Sequence, residues 1–339
     1  MTEGGAQLRV GVVGTGAISQ IVHVPIFAER EDVQLLAVSD AVRHKAKALS
    51  DRFDVPLVLD DEELIGHPDV DAVVICTPNH LHEEMAIAAM EAGKDVMVER
   101  PLSISSEGAA RAIEVAERTG RVMIVCMPHR FRPGVVALRS FIAGGELGDV
   151  YAVRGSWMTR PIPSSRRSWR QDRAQAGGGA LVDLGVPALD LCLWMIDFPA
   201  MKRVSCVTAT IDGAEVEDAA TLMAETEDGT ALTLEVSNKL YAGEDRYYAR
   251  VMGTEGSGSL PPLEVFKQAG GRPFEVTPRQ PRPSGGENPY TNAYRRQIDD
   301  FVQVVTGRRE PESQQGQVGL MQLVEAAYRA AESGQEVEL

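Results

Sequence analysis

A glycine-rich turn placed directly after a short apolar run constrains the fold of this chain more than any other feature. Residues 8–19 read LRVGVVGTGAIS, and the apolar part is too short for a helix. In a βα turn of this kind Gly14 permits the tight bend, and Gly16 lets the backbone approach a pyrophosphate. Ala17 and Ile18 open a helix whose free N–H groups suit an anion, and Ser19 at the third glycine position is small enough for close packing. The turn therefore predicts dinucleotide binding, with an ordinary glycine-rich turn as the alternative.

The first 126 residues alternate short apolar runs with longer amphipathic segments. The runs are rich in Val, Ile and Leu and predict strands at residues 8–13, 33–39, 72–76, 95–98 and 122–126. The segments between them have apolar residues three and four positions apart and predict helices at residues 17–29, 42–53, 80–92 and 105–119. Such alternation is typical of an α/β fold with a parallel sheet, so residues 1–126 are expected to form a dinucleotide-binding Rossmann domain.

The pattern changes in residues 127–339, which we expect to form a second domain of the α+β type. Helices are predicted at residues 135–143 and in the segment GGGALVDLGVPALDLCLWM, with a strand at residues 150–158 between them. Turn signals separate strand-like runs at residues 204–211, 219–225, 231–236 and 247–251, which implies an antiparallel sheet. A Gly- and Pro-rich segment predicts a long loop at residues 267–289. Closing helices are predicted at residues 291–306 and 315–332.

Composition excludes several classes of function. The 339 residues carry 34 Lys and Arg against 49 Asp and Glu, a net charge of −15 that disfavours a nucleic acid partner. No apolar run approaches the ~20 residues needed to cross a bilayer, and no leader pattern opens the sequence, so we expect no membrane association and a cytoplasmic location. The four cysteines are widely separated and form no CxxC pair, which predicts buried thiols rather than a metal site or disulfides.

An acidic residue after the second predicted strand bears on the choice of cofactor. Asp40 lies 26 residues beyond Gly14, close to the spacing of about 20 at which an acid binds the ribose hydroxyls of NAD. Arg43 and Lys45 follow, and they could instead accept the 2′-phosphate of NADP. We therefore expect NAD as the cofactor, with NADP as the alternative. A turn or helix-capping role is the structural alternative for Asp40.

Several motifs in order along the chain resemble those of the glucose-fructose oxidoreductase and inositol dehydrogenase family, Gfo/Idh/MocA. They are the dinucleotide turn, CTPNH at residues 76–80, VERP at residues 98–101, RFRP at residues 130–133 and GGGALVDLGVPALDL at residues 177–191. The resemblance covers nearly the whole chain. It implies a Rossmann domain and a second domain with an open, mostly antiparallel sheet and a substrate cleft facing the nicotinamide. It also implies homodimers or homotetramers built on that sheet.

The resemblance assigns cofactor contacts to residues that follow two of the predicted strands: Thr77, Pro78, Asn79, His82, Glu99 and Arg100. His82 lies on the next helix, where a packing role is the alternative. Arg100 stands where the family has a lysine that orients the substrate hydroxyl and assists proton movement. A guanidinium can keep the positive charge and donate hydrogen bonds, but it does not release its proton near neutral pH.

The motif in the second domain departs further from the family pattern. The family has an acid, a histidine four residues later and another acid three residues beyond, and this chain has Asp183, Pro187 and Asp190. Proline cannot accept a proton, and its missing N–H predicts a broken or kinked helix, with a simple helix restart as the alternative. Asp183 is the first candidate for a replacement base because its position lines the family's cleft, and partial burial can raise a carboxyl pKa. His129 is the second candidate, and a tyrosine, water or no base at all remain open.

Arginines concentrate just before the GGG helix, in a loop that the family places near the substrate. Between residues 130 and 173 the chain has nine arginines, no lysine and three acidic residues. Guanidinium forks suit phosphate and carboxylate oxygens, and Trp157 and Trp169 could stack on a base or sugar ring. We expect an anionic substrate such as a nucleotide sugar or a sugar acid, bound by Arg160, Arg167, Trp169, Arg170, Asp183 and Asp190. Arg166 and Arg173 belong to the same cluster, and salt bridges across a subunit interface are the alternative.

These observations predict an NAD(P)-dependent oxidoreductase. It would transfer a hydride to or from a hydroxyl or carbonyl group of a sugar-like, anionic substrate. Because Arg100 and Pro187 replace the family's lysine and histidine, a catalytically silent dinucleotide-binding protein, acting as a sensor or structural partner, is the alternative.

Overall fold

The polypeptide passes more than once between two structural units. The structure, a computed structural model, describes residues 7–161, 168–211, 213–279 and 288–339. The first unit comprises Met1–Ser103, Glu107–Pro128 and Asn288–Gln315. The second unit comprises Ile104–Ser106, His129–Glu287 and Gly316–Leu339.

Among the residues that the structure describes in the first unit, six parallel strands form one sheet, in the order β3-β2-β1-β4-β5-β6. They are β1 (Leu8–Val13), β2 (Val33–Ser39), β3 (Leu57–Val58), β4 (Ala72–Ile75), β5 (Asp95–Val98) and β6 (Met123–Val125). β4 is buried along its whole length, which explains why its sequence is a continuous apolar run rather than an alternating one. The strand order reverses between β1 and β4, and dinucleotides bind at such a point in Rossmann folds. The predicted Rossmann domain is confirmed.

The described residues contain ten α-helices. They are α1 (Val24–Ala28), α2 (Arg43–Phe53), α3 (Asp61–Ile65), α4 (His82–Glu91), α5 (Ser106–Thr119), α6 (Pro133–Ala143), α7 (Arg173–Ala176), α8 (Val186–Met195), α9 (Pro289–Val305) and α10 (Gly316–Ser333). A π-helical turn precedes α1 at Ser19–His23, and another precedes α8 at Leu181–Gly185. Both lie in segments that bear predicted site residues, where π turns are often found.

Helix α9 belongs to the first unit, although the sequence analysis assigned every residue after 126 to the second. Its residues Ile298, Phe301 and Val302 are fully buried in the same core as Val10 and Val12 of β1. The three- and four-residue spacing of such positions puts them on one face of a helix. A periodic pattern shows which face of a helix is buried, but it does not show which sheet covers that face. The predicted domain assignment therefore differs from the structure over α9.

In the described part of the second unit nine strands form one sheet, in the order β14-β13-β12-β11-β7-β10-β9-β8-β15. They are β7 (Val150–Met158), β8 (Met201–Ala209), β9 (Ala219–Thr226), β10 (Ala231–Ser237), β11 (Arg246–Gly253), β12 (Gly256–Leu260), β13 (Glu264–Ala269), β14 (Arg272–Glu275) and β15 (Val337–Glu338). β7 and β10 run parallel, and the remaining neighbours are antiparallel. The predicted mostly antiparallel sheet is confirmed.

The predicted loop at residues 267–289 is wrong in its first part. Strand β13 extends into it and β14 lies within it, while residues 280–287 are outside the described part of the chain. β14 is an edge strand and contains Pro273. Edge strands tolerate proline because one row of their N–H groups needs no partner, so a Pro-rich composition does not exclude a strand there.

The segment Arg173–Met195, which contains α7 and α8, is long and apolar enough to cross a membrane by length and composition alone. Within the described residues, 89% of its most apolar window is buried inside the protein. Core helices of globular domains pass the same test when they are apolar on all sides. We therefore assign this segment as the core helix of the second unit.

Candidate functional site

The glycine turn at the end of β1 packs tightly on one side and is open on the other. Gly14 has a φ of +90°, and a Cβ added there would lie 2.6 Å from the backbone oxygen of Cys76. A Cβ added at Gly16 would meet nothing within 4 Å. The hydroxyl of Ser19 donates to the carbonyl of Gly14 and ties the turn to the following helix, which begins at Ala17. The turn thus leaves room beside Gly16 for the pyrophosphate of a dinucleotide.

Asp40 lies beside this turn, at the end of β2. Its Oδ2 accepts hydrogen bonds from the backbone N–H of Thr15 (2.8 Å) and from the Thr15 hydroxyl (2.7 Å), and its Oδ1 accepts one from the N–H of Val42 (2.8 Å). Burial opposes ionisation, but these hydrogen bonds hold the pKa of Asp40 below its ordinary value. The carboxylate is therefore ionised at neutral pH, a state that suits ribose hydroxyls and repels a 2′-phosphate.

Arg43, the residue expected to receive a 2′-phosphate if NADP binds, is exposed. Its guanidinium lies 3.3 Å from the carboxylate of Asp60 and 3.3 Å from the backbone oxygen of Val58. Both partners of the ion pair are more than two-thirds exposed, so the pair is weak. A ligand could therefore displace Asp60 at little cost.

The Thr77–Asn79 segment is linked to the residue after Arg100 by a buried histidine. His82 is 1% exposed, and its ring nitrogens lie 2.7 Å from the backbone oxygen of Pro101 and 2.9 Å from that of Thr77. Burial lowers the pKa of His82. Its contacts support the packing alternative rather than the predicted cofactor contact. Thr77 and Pro78 are half-buried, and Asn79 is buried.

Glu99 sits in a buried cluster that the sequence analysis did not find. Its Oε1 lies 2.7 Å from Nε2 of His23 and accepts a hydrogen bond from the hydroxyl of Tyr294 (3.1 Å). Its Oε2 accepts from the backbone N–H of Arg100 (3.3 Å). His23 and Tyr294 are 76 and 195 residues away from Glu99 in sequence. Long-range partners of this kind leave no local pattern in a single sequence.

The same cluster contains three groups that could in principle bind a metal. Donor atoms of His23, Glu99 and Cys126 lie within 4.8 Å of one another, and all three residues are buried. Burial raises the pKa of the Cys126 thiol to about 12, so the thiol is protonated at neutral pH. Metal binding requires a thiolate, and Glu99 already occupies Nε2 of His23. The donor chemistry favours a hydrogen-bonded cluster over a metal centre.

In the second unit the structure brings together three residues that the sequence analysis singled out. Nε of Arg170 lies 3.9 Å from Oδ1 of Asp183, and the Arg170 guanidinium lies 4.4 Å from the centre of the Trp169 ring. The Asp183 side chain is 45% exposed. A solvent-accessible carboxylate, a cation and an indole ring are thus within reach of one small molecule.

The other predicted arginines are dispersed. Arg160 is bonded to Asp245, with Nε 3.4 Å from Oδ1. Arg173 pairs with Glu332 at 3.1 Å. Arg166 and Arg167 lie outside the described residues, so their proposed contacts stay predictions.

The three consecutive glycines fix the start of the helix that carries Asp183. A Cβ added at Gly178 would lie 1.9 Å from the Tyr328 hydroxyl, and one added at Gly179 would lie 2.0 Å from the backbone oxygen of Glu217. The buried carboxylate of Glu217 accepts hydrogen bonds from Gly179, from Leu181 (2.8 Å) and from the Tyr328 hydroxyl (2.9 Å). The carboxylate caps the helix N-terminus from a distant loop. Glu217 was not predicted from the sequence, where its only distinguishing feature is an acidic loop before β9.

Pro187 is the second residue of α8, directly after the π-helical turn Leu181–Gly185. The helix runs without a break from Ala180 to Met195, and the N–H of Val186 donates to the carbonyl of Leu181, so Pro187 lies within a helix rather than at a free start. The predicted irregularity is present as the π turn, which accompanies the missing N–H of the proline. Pro187 is buried and has no group that can accept a proton.

Asp190, predicted to bind substrate, is instead held in a buried ion pair. It is 1% exposed; its Oδ2 accepts from Nε of Arg130 (2.8 Å), and its Oδ1 accepts from Nη2 of Arg130 and from Nε2 of Gln317 (2.9 Å). Both oxygens are therefore engaged within the protein. A carboxylate with this burial and these partners stabilises the core, so the structure favours that role over the predicted substrate contact.

His129, the second candidate base, is also buried. It is 3% exposed, stacks on Tyr247 with ring centres 5.2 Å apart, and meets the edge of Trp157 at 4.8 Å. This aromatic cluster encloses the imidazole and involves Trp157, which was considered for stacking on a ligand. The structure therefore favours Asp183 over His129 as the group that a substrate can reach.

Comparison with known proteins agrees with this architecture. Residues 8–127 match a family model described as an oxidoreductase family with an NAD-binding Rossmann fold, and residues 135–259 match the GFO/IDH/MocA C-terminal domain. The D-glucoside 3-dehydrogenase of Escherichia coli (strain K12) is 29% identical over 98% of this chain and 97% of its own length. The dTDP-3,4-didehydro-2,6-dideoxy-alpha-D-glucose 3-reductase of Streptomyces violaceoruber is 30% identical over 84% of this chain and 81% of its own length.

A solved structure extends the similarity to a protein with bound cofactor. GenD2 from gentamicin A biosynthesis, crystallised in complex with NAD, is 29% identical and superposes with a TM-score of 0.85 over 98% of this chain and 97% of its own. These findings confirm the resemblance and identify the cofactor of the first unit as NAD.

Proposed function

This chain belongs to the Gfo/Idh/MocA family of oxidoreductases with an NAD-binding Rossmann domain, and we propose that it transfers a hydride between NAD and a hydroxyl or ketone group of a sugar-like, anionic substrate. The group Asp183, Arg170 and Trp169 carries this proposal. A carboxylate can accept a hydroxyl proton, a guanidinium binds phosphate or carboxylate, and an indole ring can cover a sugar ring. The names of two relatives refer to a glucoside and to a nucleotide-linked glucose derivative, which supports a pyranose substrate.

Each unit supplies its own part of the chemistry. NAD, when bound, supplies the hydride acceptor, and the turn at Gly14 and Gly16 together with Asp40 would hold its pyrophosphate and ribose. Arg100 keeps a positive charge that stabilises a developing alkoxide, because a guanidinium stays protonated. Asp183 accepts the hydroxyl proton during oxidation and returns it during reduction.

The replacement of the family's histidine by Pro187 favours a second candidate, a protein that binds NAD without turnover. Titration with NADH and NADPH, followed by fluorescence, measures cofactor binding for both candidates. Purified protein with NAD or NADP is then offered methyl glucosides, nucleotide sugars and sugar acids while absorbance at the wavelength of the reduced cofactor is recorded. Turnover of an anionic pyranose supports the proposal. Tight NADH binding without turnover, and no gain from Pro187→His combined with Arg100→Lys, supports the silent protein.

The role of Asp183 is tested with an asparagine variant. Asp183→Asn is expected to lower kcat by about 100-fold, the contribution typical of one proton-transfer group, and to leave the dissociation constant of NADH within about twofold. Glu332→Gln is the matched control, because Glu332 is also an exposed carboxylate paired with an arginine. Equal effects of the two substitutions on kcat would contradict the assignment.

We also propose that the second unit associates with copies of itself through the uncovered face of its sheet. Val207 on β8 and Met223 on β9 are 73% and 63% exposed, and the two strands are neighbours. Adjacent apolar side chains with this exposure are typical of an interface. Light scattering after size exclusion should give a dimer or tetramer that Val207→Lys with Met223→Lys dissociates, and a wild-type monomer would refute the proposal.

A further inference from the structure

A buried polar cluster in the first unit joins three distant parts of the chain. His23 comes from the π turn after the glycine-rich bend, Glu99 from the end of β5, and Tyr294 from α9. The side chain of His23 is 0% exposed, and Tyr294 is 2% exposed. The rings of His23 and Tyr294 also meet edge to face at 5.4 Å. The cluster is therefore part of the interior of the fold rather than a surface contact.

Stability alone does not explain this cluster. Burying an imidazole and a carboxylate removes both from water, and their attraction repays that cost only with good geometry and further hydrogen bonds. Apolar side chains of similar volume could fill the same space at no such cost. Much of the surrounding core is apolar, since Val22, Val24, Ile298 and Phe301 are all fully buried. The other polar groups next to the cluster are the thiols of Cys76 and Cys126 beside His23 and the Tyr290 hydroxyl, which donates to the Tyr294 hydroxyl (3.4 Å). Packing alone therefore does not account for these three polar groups in the core.

The orientation of the Glu99 carboxylate links the cluster to Arg100. His23 and Tyr294 both engage Oε1, at 2.7 Å and 3.1 Å, and leave Oε2 directed at the backbone N–H of Arg100 at 3.3 Å. Two contacts at one oxygen restrict the rotation of the carboxylate and keep its other oxygen near the Arg100 N–H. Burial opposes the charge on Glu99, but the hydrogen bond and charge of His23, followed by the charge of Arg100, hold the pKa of Glu99 below its ordinary value.

We propose that His23 and Tyr294 are positioning residues for Arg100: they fix Glu99, whose second carboxylate oxygen in turn fixes the backbone N–H of Arg100 and thereby the point from which its side chain extends. The inference rests on the proposed function, in which Arg100 stabilises the alkoxide. It adds a reason why an arginine can serve at this position. A long, flexible side chain must be held in one place before its charge can stabilise a reacting oxygen.

Tyr294→Phe tests the inference because it removes one hydroxyl and preserves the ring. We expect kcat to fall by about tenfold or more, while KM and the dissociation constant of NADH change by less than about twofold. In an Arg100→Ala background the same substitution should have no further effect on kcat, because its target is already absent. Ser50→Ala is the matched control: Ser50 is buried in α2 and donates one hydrogen bond to the backbone oxygen of Val55 (2.9 Å). It should change the melting temperature but not kcat.

A second readout does not depend on turnover. In protein labelled with ¹⁵N-arginine, the side-chain Nε–H resonance of Arg100 is assigned by its loss in Arg100→Ala. We expect that resonance to shift in Tyr294→Phe and in His23→Gln, and to stay in place in Ser50→Ala. An unmoved Arg100 resonance in folded Tyr294→Phe and His23→Gln proteins would overturn the inference. If the wild-type protein binds NADH but turns over no substrate, the proposed function fails, and the resonance still decides whether the cluster positions Arg100.

Discussion

Replacing Asp190 by asparagine is expected to destabilise the second unit by about 3–5 kcal/mol, the usual cost of breaking a buried ion pair. Asp190 is 1% exposed and Arg130 10% exposed at their side chains, so the substitution leaves the guanidinium buried without its counter-ion. With a urea m-value of about 3 kcal/mol/M, the midpoint of unfolding would fall by about 1–1.7 M. The unfolding is followed by tryptophan fluorescence and circular dichroism, without cofactor.

A neighbouring ion pair provides the control. Asp197 is paired with Arg139, whose guanidinium stacks 4.2 Å from the Trp194 ring, but the Asp197 side chain is 76% exposed. Asp197→Asn should therefore change the free energy of unfolding by no more than about 1 kcal/mol. Asparagine also tolerates the positive φ of 60° found at Asp197.

A double variant separates the burial of charge from the loss of a contact. Asp190→Leu with Arg130→Met removes both charges and should recover most of the stability, because apolar replacement of a buried ion pair is often neutral. The amide of Gln317 loses its acceptor, which costs about 1–3 kcal/mol. The reasoning is refuted if Asp190→Asn shifts the midpoint no more than Asp197→Asn and raises the KM of a substrate by about tenfold or more. That result would make Asp190 a substrate ligand.

Three further predictions concern the first unit. Gly14→Ala should weaken NADH binding by about tenfold or more in a fluorescence titration, because Gly14 has a φ of +90° and a Cβ there would lie 2.6 Å from the Cys76 oxygen. Unchanged affinity would contradict this close approach of Gly14 to the Cys76 backbone. Asp40→Ser should shift the ratio of NADPH to NADH affinity toward NADPH by about tenfold, and an unmoved ratio would count against the ribose contact. Burial opposes the charge on His23, but its hydrogen bonds with Cys76, Cys126 and the Glu99 carboxylate raise its pKa well above 6.5. The stability that this charge contributes is thus complete below about pH 6.5 and is lost as pH rises through the raised pKa. The urea midpoints of wild type and His23→Gln should differ more at pH 6 than at pH 10.

The first unit was predictable wherever the signal is local. β1, β2 and β5 have the predicted bounds, because buried parallel strands are short apolar runs between turn residues. The second sheet was predicted from β7 to β11, whereas β12 to β15 were missed; β12 contains glycine, and the edge strand β14 contains proline. Edge strands need fewer paired N–H groups, so a proline in the sequence does not exclude a strand there. A cytoplasmic location and the absence of a nucleic acid partner rest on sequence patterns and composition alone and stay predictions.

The site was predictable in its motif residues but not in the residues that support them. Asp40 and Asp183 stand at fixed positions in local motifs, so a single sequence reveals them. Glu217 and Tyr294 act through hydrogen bonds to residues far along the chain, and no local motif marks them. Asp190 is the opposite case, because its place in a motif suggests a ligand contact whereas its burial favours a role in the core.

Under the proposed function, the proton must travel by a simpler route than a relay of several groups. Arg100 keeps its proton, Pro187 has none to exchange, and Asp190 is neutralised by Arg130 within the core. Asp183 remains, on a helix whose start is clamped by Glu217 and whose π turn sets it at the surface of the unit. A half-exposed carboxylate can exchange its proton directly with water, so no histidine is needed to carry the proton away. The loss of the family's histidine is then compatible with turnover, provided that the substrate hydroxyl meets Asp183 itself.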